Sequence, residues 1–383
     1  MPLQDVATTS KAQEKYRIEL FATVCESVGS TLEEEGFASD SNHVTFKREF
    51  VDGSLEVPMD ELIAFAATLD DNMLFCPLNV KFVGEDGIDA GGLTADFFRS
   101  FYTGMLKDFW MEEGGTTVLP RNDVEPQRFF QYGRLVLKCL YEKRPVAIAP
   151  TLATSFYKYL AHIDPDINDF GQFASPDHVQ SMQHVTTASK NDLDLMGLNF
   201  EGHPVYGNQP VTELNRHVYI NSRIQHCLVL SRKEQLDAFC SGLFSNVTIT
   251  RILSSMTWIE LRVLFGGTEA SRLTAAALLA VTSIVGFPEG STTPEYFRGY
   301  LLSLSSSQLA AWVVWVTGSP QLPLDCRPNF IKIECCPRGD IDRLPISHVC
   351  FHLVELPDYA DEAKLRMKLT QVLEEGGNVF AMA

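Results

Sequence analysis

One thiol stands between two imidazoles in the stretch LPISHVCFHLVELPDY, residues 344–359, where His348, Cys350 and His352 alternate with Val349, Phe351 and Leu353. Successive side chains of an extended strand point to opposite faces. The spacing therefore predicts the thiol and both imidazoles on one face, with an apolar anchor on the other. The chemistry this suits is nucleophilic, because the thiolate is the attacking form and a neighbouring imidazolium draws a thiol pKa down from about 8.5 toward neutrality. The same pattern also fits an inert cysteine in a core strand, since free cysteines are among the most buried residues. A metal site is a weaker reading. Cys335 and Cys336 lie near in sequence, but vicinal cysteines fit tetrahedral zinc poorly and no C-x-x-C pair is present.

The elements that must hold this segment are legible in part. NFIKIECC at 329–336 alternates like a strand, and DEAKLRMKLTQVLEEGG at 361–377 carries Leu365, Leu369, Val372 and Leu373 as the inward stripe of a helix. TPEYFRGYLLSLS reads as a helix with Thr293 as N-cap and Pro294 as its first residue, and SQLAAWVVWVTGSP as one ended by Gly318 and Pro320. Upstream, helical spacing dominates at 59–69, 93–106 and 126–141. Residues 164–224, punctuated by Gly, Asp and Asn, read as strands and turns of a smaller subdomain. Ser231 and Glu234 form a capping box ahead of Leu236. Residues 1–40 read as a helical extension ending in an acidic, Ser- and Gly-bearing linker, and Gly266-Gly267 as a second break before a domain of mixed strands and helices. The fold class expected is α+β.

Composition narrows the partners. The 383 residues carry 31 basic against 49 acidic side chains, a net charge of −18, which disfavours nucleic acid and anionic membranes and favours a basic protein surface. Nine cysteines without framework spacing point to a reducing compartment, cytosol or nucleus. The longest apolar run, residues 275–287, is interrupted by Thr282 and Ser283 and too short for membrane insertion. Asn246-Val247-Thr248 fits a glycosylation acceptor, which in a cytosolic chain is chance.

Leu344, Pro345, Ser347, His348, Cys350, Phe351, Glu355, Leu356, Pro357 and Tyr359 together resemble the active-site pattern of the HECT family of ubiquitin ligases. A second run, VKFVGEDGIDAGGLTADFF at 80–98, is similar to the family's glycine- and acid-rich motif through Gly84, Glu85, Gly87, Asp89, Gly91, Gly92, Leu93, Phe97 and Phe98, with Asp96 for the usual Glu. RFFQYGRLVLKCLY, VTELNRHVY, SGLF and WVTGSPQLP follow in family order, so the resemblance covers roughly residues 40–383. The chain departs at Val349 and His352, where relatives carry Thr and Asn, and at Arg223 and Gln321. Nothing matches the local signatures of papain-like hydrolases, the other Cys–His class considered.

The resemblance implies a bilobal α+β fold. Its N-terminal lobe at 41–267 is mainly helical and carries a small α/β subdomain at about 164–224 that docks a ubiquitin-conjugating enzyme; a hinge at 268–271 leads to an α/β catalytic lobe at 272–383. It further implies that Cys350 is the nucleophile and that Phe380 acts after the thioester has formed; His348 either tunes the thiol or hydrogen-bonds its own loop. Glu85, Asp89 and Asp96 would face the incoming lysine, where a carboxylate within hydrogen-bond reach accepts its proton; a solvated acidic turn is the alternative. Val179, Met182, Val185, Leu195, Met196 and Tyr219 are the candidates for the docking groove. The partners implied are the conjugating enzyme, ubiquitin and protein substrates, with no cofactor required. A non-catalytic module that only docks the conjugating enzyme is the other reading, motivated by the four departures.

Overall fold

A computed structural model of the chain describes residues 18–30, 43–51, 54–85, 92–113, 115–144, 146–201, 203, 205–266, 273–317, 322, 328–336 and 341–377. It divides into two compact units. The first gathers Met1–Met105, Leu135–Pro150 and Val263–Ala383; the second gathers Leu106–Arg134 and Thr151–Arg262. The linking residues 268–271 lie outside the described residues.

In the first unit, β1 (His43–Phe46) leads into the hairpin of β2 (Glu49–Val51) and β3 (Ser54–Glu56), and β1 pairs in parallel with β4 (Asn79–Phe82). Phe46 then meets Phe65 edge-on at 5.4 Å, and both meet Phe97 of the helix Gly92–Lys107. Such offset and edge-to-face pairs add to burial, which is why this aromatic-rich stretch makes a core and not a surface. Lys138 is fully buried here, donating to the Cys76 carbonyl and pairing with Glu142 at 3.1 Å. A buried ammonium persists only with such partners.

The second unit holds β5 (Phe109–Met111) against β6 (Val118–Pro120), and its core forms where Gly133 and Gly242 let two helices touch. A Cβ on Gly133 would lie 2.2 Å from the Phe239 carbonyl oxygen, and one on Gly242 2.0 Å from that of Phe130. Residues 164–224 prove helical, in contrast to the strands expected. Helices Ile167–Phe173, Pro176–Thr187, Lys190–Met196 and Arg216–Leu228 fill the region, and among the described residues its β-structure is limited to the isolated bridges Asn199–Pro210 and His203–Gly207. The polar punctuation is capping. Asp166 with Asp169 and Ser189 with Asp192 form reciprocal capping boxes, and Ser175 accepts from the His178 amide. Asn246 likewise caps Val247–Leu253. The capping box expected at Ser231 and Glu234 is absent: a 3-10 turn, Leu230–Arg232, runs into the helix Lys233–Leu243, and Ser231 donates back to the Cys227 carbonyl.

The last segment of the first unit is a four-stranded sheet in the order β7, β8, β10, β9, made of β7 (Thr282–Val285), β8 (Ile331–Cys335), β9 (Ile346–His348) and β10 (Leu353–Leu356). β8 pairs in parallel with both β7 and β10, and β9 closes the edge antiparallel to β10. Ile331 and Ile333 of β8 and Val354 and Leu356 of β10 face a core with Phe297, Trp312, Leu365 and Leu369 from helices Thr293–Ser303, Ser306–Thr317 and Glu362–Gly377. Lys332, Glu334 and Glu355 alternate with them onto the opposite face.

Candidate functional site

The segment around Cys350 is not one continuous strand. β9 ends at His348, Val349–Phe351 form a 3-10 turn, and His352 closes it with φ 48 and ψ 41 before β10 begins. The turn resets the alternation. Phe351, expected on the apolar anchor face, is 66% exposed, and His352 turns inward to lay its ring on Phe330 at 4.2 Å between centroids. His348 and His352 therefore do not share one continuous strand face. The backbone of Cys350 lies in the turn; its side chain lies outside the described residues.

His352 occupies the left-handed region, which β-branched residues avoid and which Asn, Asp and His enter more readily. An Asn-to-His exchange at this position thus preserves the turn. Its carbonyl accepts from the Lys332 amide at 2.9 Å, tying the turn to β8, and its amide donates to the Val349 carbonyl at 3.3 Å. Burial, with the Arg144 charge as a second cause, holds the His352 ring below the ordinary histidine pKa, so it sits neutral against Phe330.

His348 meets Glu355 across the hairpin. Its Nε2 lies 3.2 Å from Glu355 Oε1, while Arg343 donates to Glu355 Oε2 at 2.6 Å and Tyr359 donates to the Arg343 carbonyl at 2.6 Å. The Arg343 hydrogen bond is the main reason the Glu355 carboxyl is held below its usual range, with the His348 bond adding to it. Cys335, by contrast, is a free thiol raised by burial and by the Asp358 carboxylate, which is the wrong direction for a nucleophile.

Two of the three expected acids are brought together, and an arginine does it. Arg48 Nε donates to Glu85 Oε1 at 2.8 Å and its Nη1 to Asp96 Oδ2 at 3.1 Å, with the guanidinium 4.0 Å from the centre of the Phe82 ring; Arg99 approaches Asp96 at 3.5 Å. Asp96 is thus paired locally. Asp89 and Phe380 lie outside the described residues. Arg48 had no signal in the sequence, because its partners are 37 and 48 residues away.

The docking candidates separate by exposure. Leu195 is 86% exposed and Met196 is exposed beside it; Val179, Met182 and Tyr219 are half-buried; Val185 is 6% exposed and faces inward. Val205 and Leu214 are equally prominent apolar side chains of the same region that the sequence reading passed over. Glu112 fixes the helix Pro176–Thr187 at its start, accepting from the Ser175 amide at 2.8 Å and pairing with His178. Among the described residues no cluster of His, Cys, Asp and Glu could hold a metal ion, and no helix is long and apolar enough to cross a membrane.

Comparison with known proteins adds to this geometry. The family model of the HECT domain (ubiquitin-transferase) matches residues 97–383. The chain is 27% identical over 342 residues to an E3 ubiquitin-protein ligase TOM1-like of Neurospora crassa, an alignment covering 82% of this chain and 8% of that protein. It is 24% identical over 442 residues to a bifunctional serine/threonine-protein kinase/NEDD4-like E3 ubiquitin-protein ligase of Dictyostelium discoideum, covering 94% of the chain and 22% of the relative. E3 ubiquitin-protein ligase ptr1 of Schizosaccharomyces pombe is 26% identical, covering 82% and 10%. The chain thus spans only a small part of each of these relatives. The match of the family model across most of the chain, including the turn that carries Cys350, shows that this chain belongs to the HECT-domain family of ubiquitin transferases.

Proposed function

We propose that the chain is the catalytic module of a ubiquitin ligase, working by a covalent relay through Cys350. The Cys350 thiolate attacks the thioester carbonyl of a charged ubiquitin-conjugating enzyme; a new C–S bond forms and the conjugating enzyme's cysteine leaves as thiolate. A substrate lysine amine then attacks the same carbonyl carbon, the C–N bond forms, the C–S bond breaks, and the amine gives up a proton. In this reading the chain has the two lobes of its family, 41–267 and 272–383, joined by a hinge at 268–271 that lets one cysteine reach donor and acceptor, in the cytosol or nucleus. Exposed Leu195 and Met196, with Val179, Met182 and Tyr219, form the docking surface for the conjugating enzyme.

The observation that carries the reading is the position of Cys350 within a family-matched strand–turn–strand whose closing residue tolerates the left-handed backbone. That same tolerance favours transfer over docking alone, since His352 in place of Asn leaves the turn intact. The test is incubation of the chain with activating enzyme, a panel of conjugating enzymes and ubiquitin, resolved on non-reducing gels. A thiol-sensitive ubiquitin adduct that Cys350→Ala abolishes, and that Cys335→Ala and Cys336→Ala retain, is the expected result; an adduct surviving Cys350→Ala overturns it.

A further inference from the structure

The helix Pro176–Thr187 presents Val179 and Met182 three residues apart on one face and turns Val185 inward, so the angle at which it leaves residue 175 decides where that apolar pair points. Its start is held from outside the helix. Glu112, buried just past β5, accepts from the Ser175 amide through Oε2 at 2.8 Å and meets His178 Nδ1 through Oε1. Both carboxylate oxygens thus face the cap and first turn, where the amides of a helix start favour an anion. We infer that Glu112 is a positioning residue for the docking of the conjugating enzyme: from a buried site it aims the helix that carries Val179 and Met182, without forming part of the surface. This rests on the reading of that surface as the docking site.

The connection that follows Glu112 holds the joint ahead of the same helix. The Thr116 amide and the Thr116 and Thr117 hydroxyls all donate to the Gln172 carbonyl, at 3.4, 3.2 and 3.2 Å, where the helix Ile167–Phe173 ends. Gly115 runs so close that a Cβ there would lie 2.5 Å from the Phe173 carbonyl oxygen. On the Phe173 ring, Trp110 of β5 packs edge-on at 5.6 Å and the Arg232 guanidinium lies at 5.3 Å, its Nη1 donating to the Pro120 carbonyl of β6 at 2.8 Å. The joint is clamped at its helix-ending carbonyls, and Glu112 carries the clamp on to the next helix. A purely structural account makes Glu112 one more buried carboxylate of the fold, whose loss lowers stability and every activity alike. The inferred role confines the loss to affinity for the conjugating enzyme and routes it through the contacts of Val179 and Met182.

The experiment is loading of the full chain from a conjugating enzyme preloaded with fluorescent ubiquitin, over a range of its concentrations, with melting temperature measured on each variant. Glu112→Ala should raise the half-saturating concentration about tenfold while the limiting rate stays unchanged, and Glu112→Gln, which keeps an acceptor for the Ser175 amide, should recover most of that affinity. Combined with Val179→Ala and Met182→Ala, Glu112→Ala should add nothing further. Ser175→Pro tests the donor side should Glu112→Ala fold poorly. The residue already sits at φ −61, so proline removes the amide hydrogen on an unchanged backbone and should match Glu112→Ala, whereas Ser175→Ala keeps the amide and should have a smaller effect. An unchanged half-saturating concentration in Glu112→Ala and Ser175→Pro, a fall confined to the limiting rate, or a Glu112→Ala effect that persists without Val179 and Met182 overturns the inference. If Leu195→Asp still raises the half-saturating concentration, the inference alone fails; if Leu195→Asp is silent too, the docking reading fails with it.

Discussion

Replacing His352 separates the backbone demand of the turn from the packing of its ring. The residue sits at φ 48 and ψ 41 and stacks on Phe330 at 4.2 Å. His352→Asn keeps a side chain that enters the left-handed region readily and loses the ring contact, about 0.5–1.5 kcal/mol. His352→Val loses the same contact and adds the left-handed penalty of a branched L-residue, about 1–2 kcal/mol more. The difference between the two variants is a factor of roughly 5–30 in local opening. The natural probe is hydrogen exchange at the Lys332 amide, whose bond to the His352 carbonyl is 2.9 Å and breaks when the turn opens. Valine should lower protection there about tenfold further than asparagine, with ubiquitin loading falling in parallel. Equal protection in the two variants would refute the claim that backbone conformation selects this residue.

The same histidine sets a pH dependence. Its folded pKa is depressed, so below the ordinary value of 6.5 the unfolded chain binds a proton that the folded chain refuses; stability is full above that pH and declines as pH falls toward the folded value. Denaturant titrations should show this decline, and His352→Asn should flatten it. Gly242→Ala places a Cβ 2.0 Å from the Phe130 carbonyl oxygen on a backbone that cannot yield, and should cost about 1–3 kcal/mol or more by thermal melting. Gly171→Ala, in a helix with nothing within 4 Å of the added atom, should instead stabilise by about 0.5–1 kcal/mol. Leu195→Asp should weaken conjugating-enzyme binding at least tenfold by titration calorimetry without changing the melting temperature, whereas Val185→Asp, at a buried site, should lower the melting temperature.

Periodicity carried furthest where one rule governed a whole element. The helix Pro126–Tyr141 begins and ends where its pattern does, and β8 alternates buried and half-buried residues as NFIKIECC suggested. Residues 164–224 misled because Ser, Asp and Asn serve both turns and N-caps, and only the hydrogen bonds of Asp166, Ser175 and Ser189 tell the two apart. In the Cys350 segment, period-two alternation has no way to register a single left-handed residue, so the strand read through a turn. The position of the candidate cysteine came from motif order. Its surroundings came from register: His348 and Glu355 meet only because β9 folds back on β10, and Arg48 gathers Glu85 and Asp96 across contacts that local sequence does not encode.

The most direct measurement is the chemistry of the bond itself in Cys350→Ser. A serine at the acceptor position converts a thioester into an oxyester, so a charged conjugating enzyme should leave ubiquitin on the variant in a form that resists thiol and yields to hydroxide, with peptide mapping placing it at residue 350. The wild-type adduct should be thiol-labile and map to Cys350. Ubiquitin found only on lysines in both proteins, or a thiol-labile adduct on the serine variant at Cys335 or Cys336, would contradict a relay through Cys350.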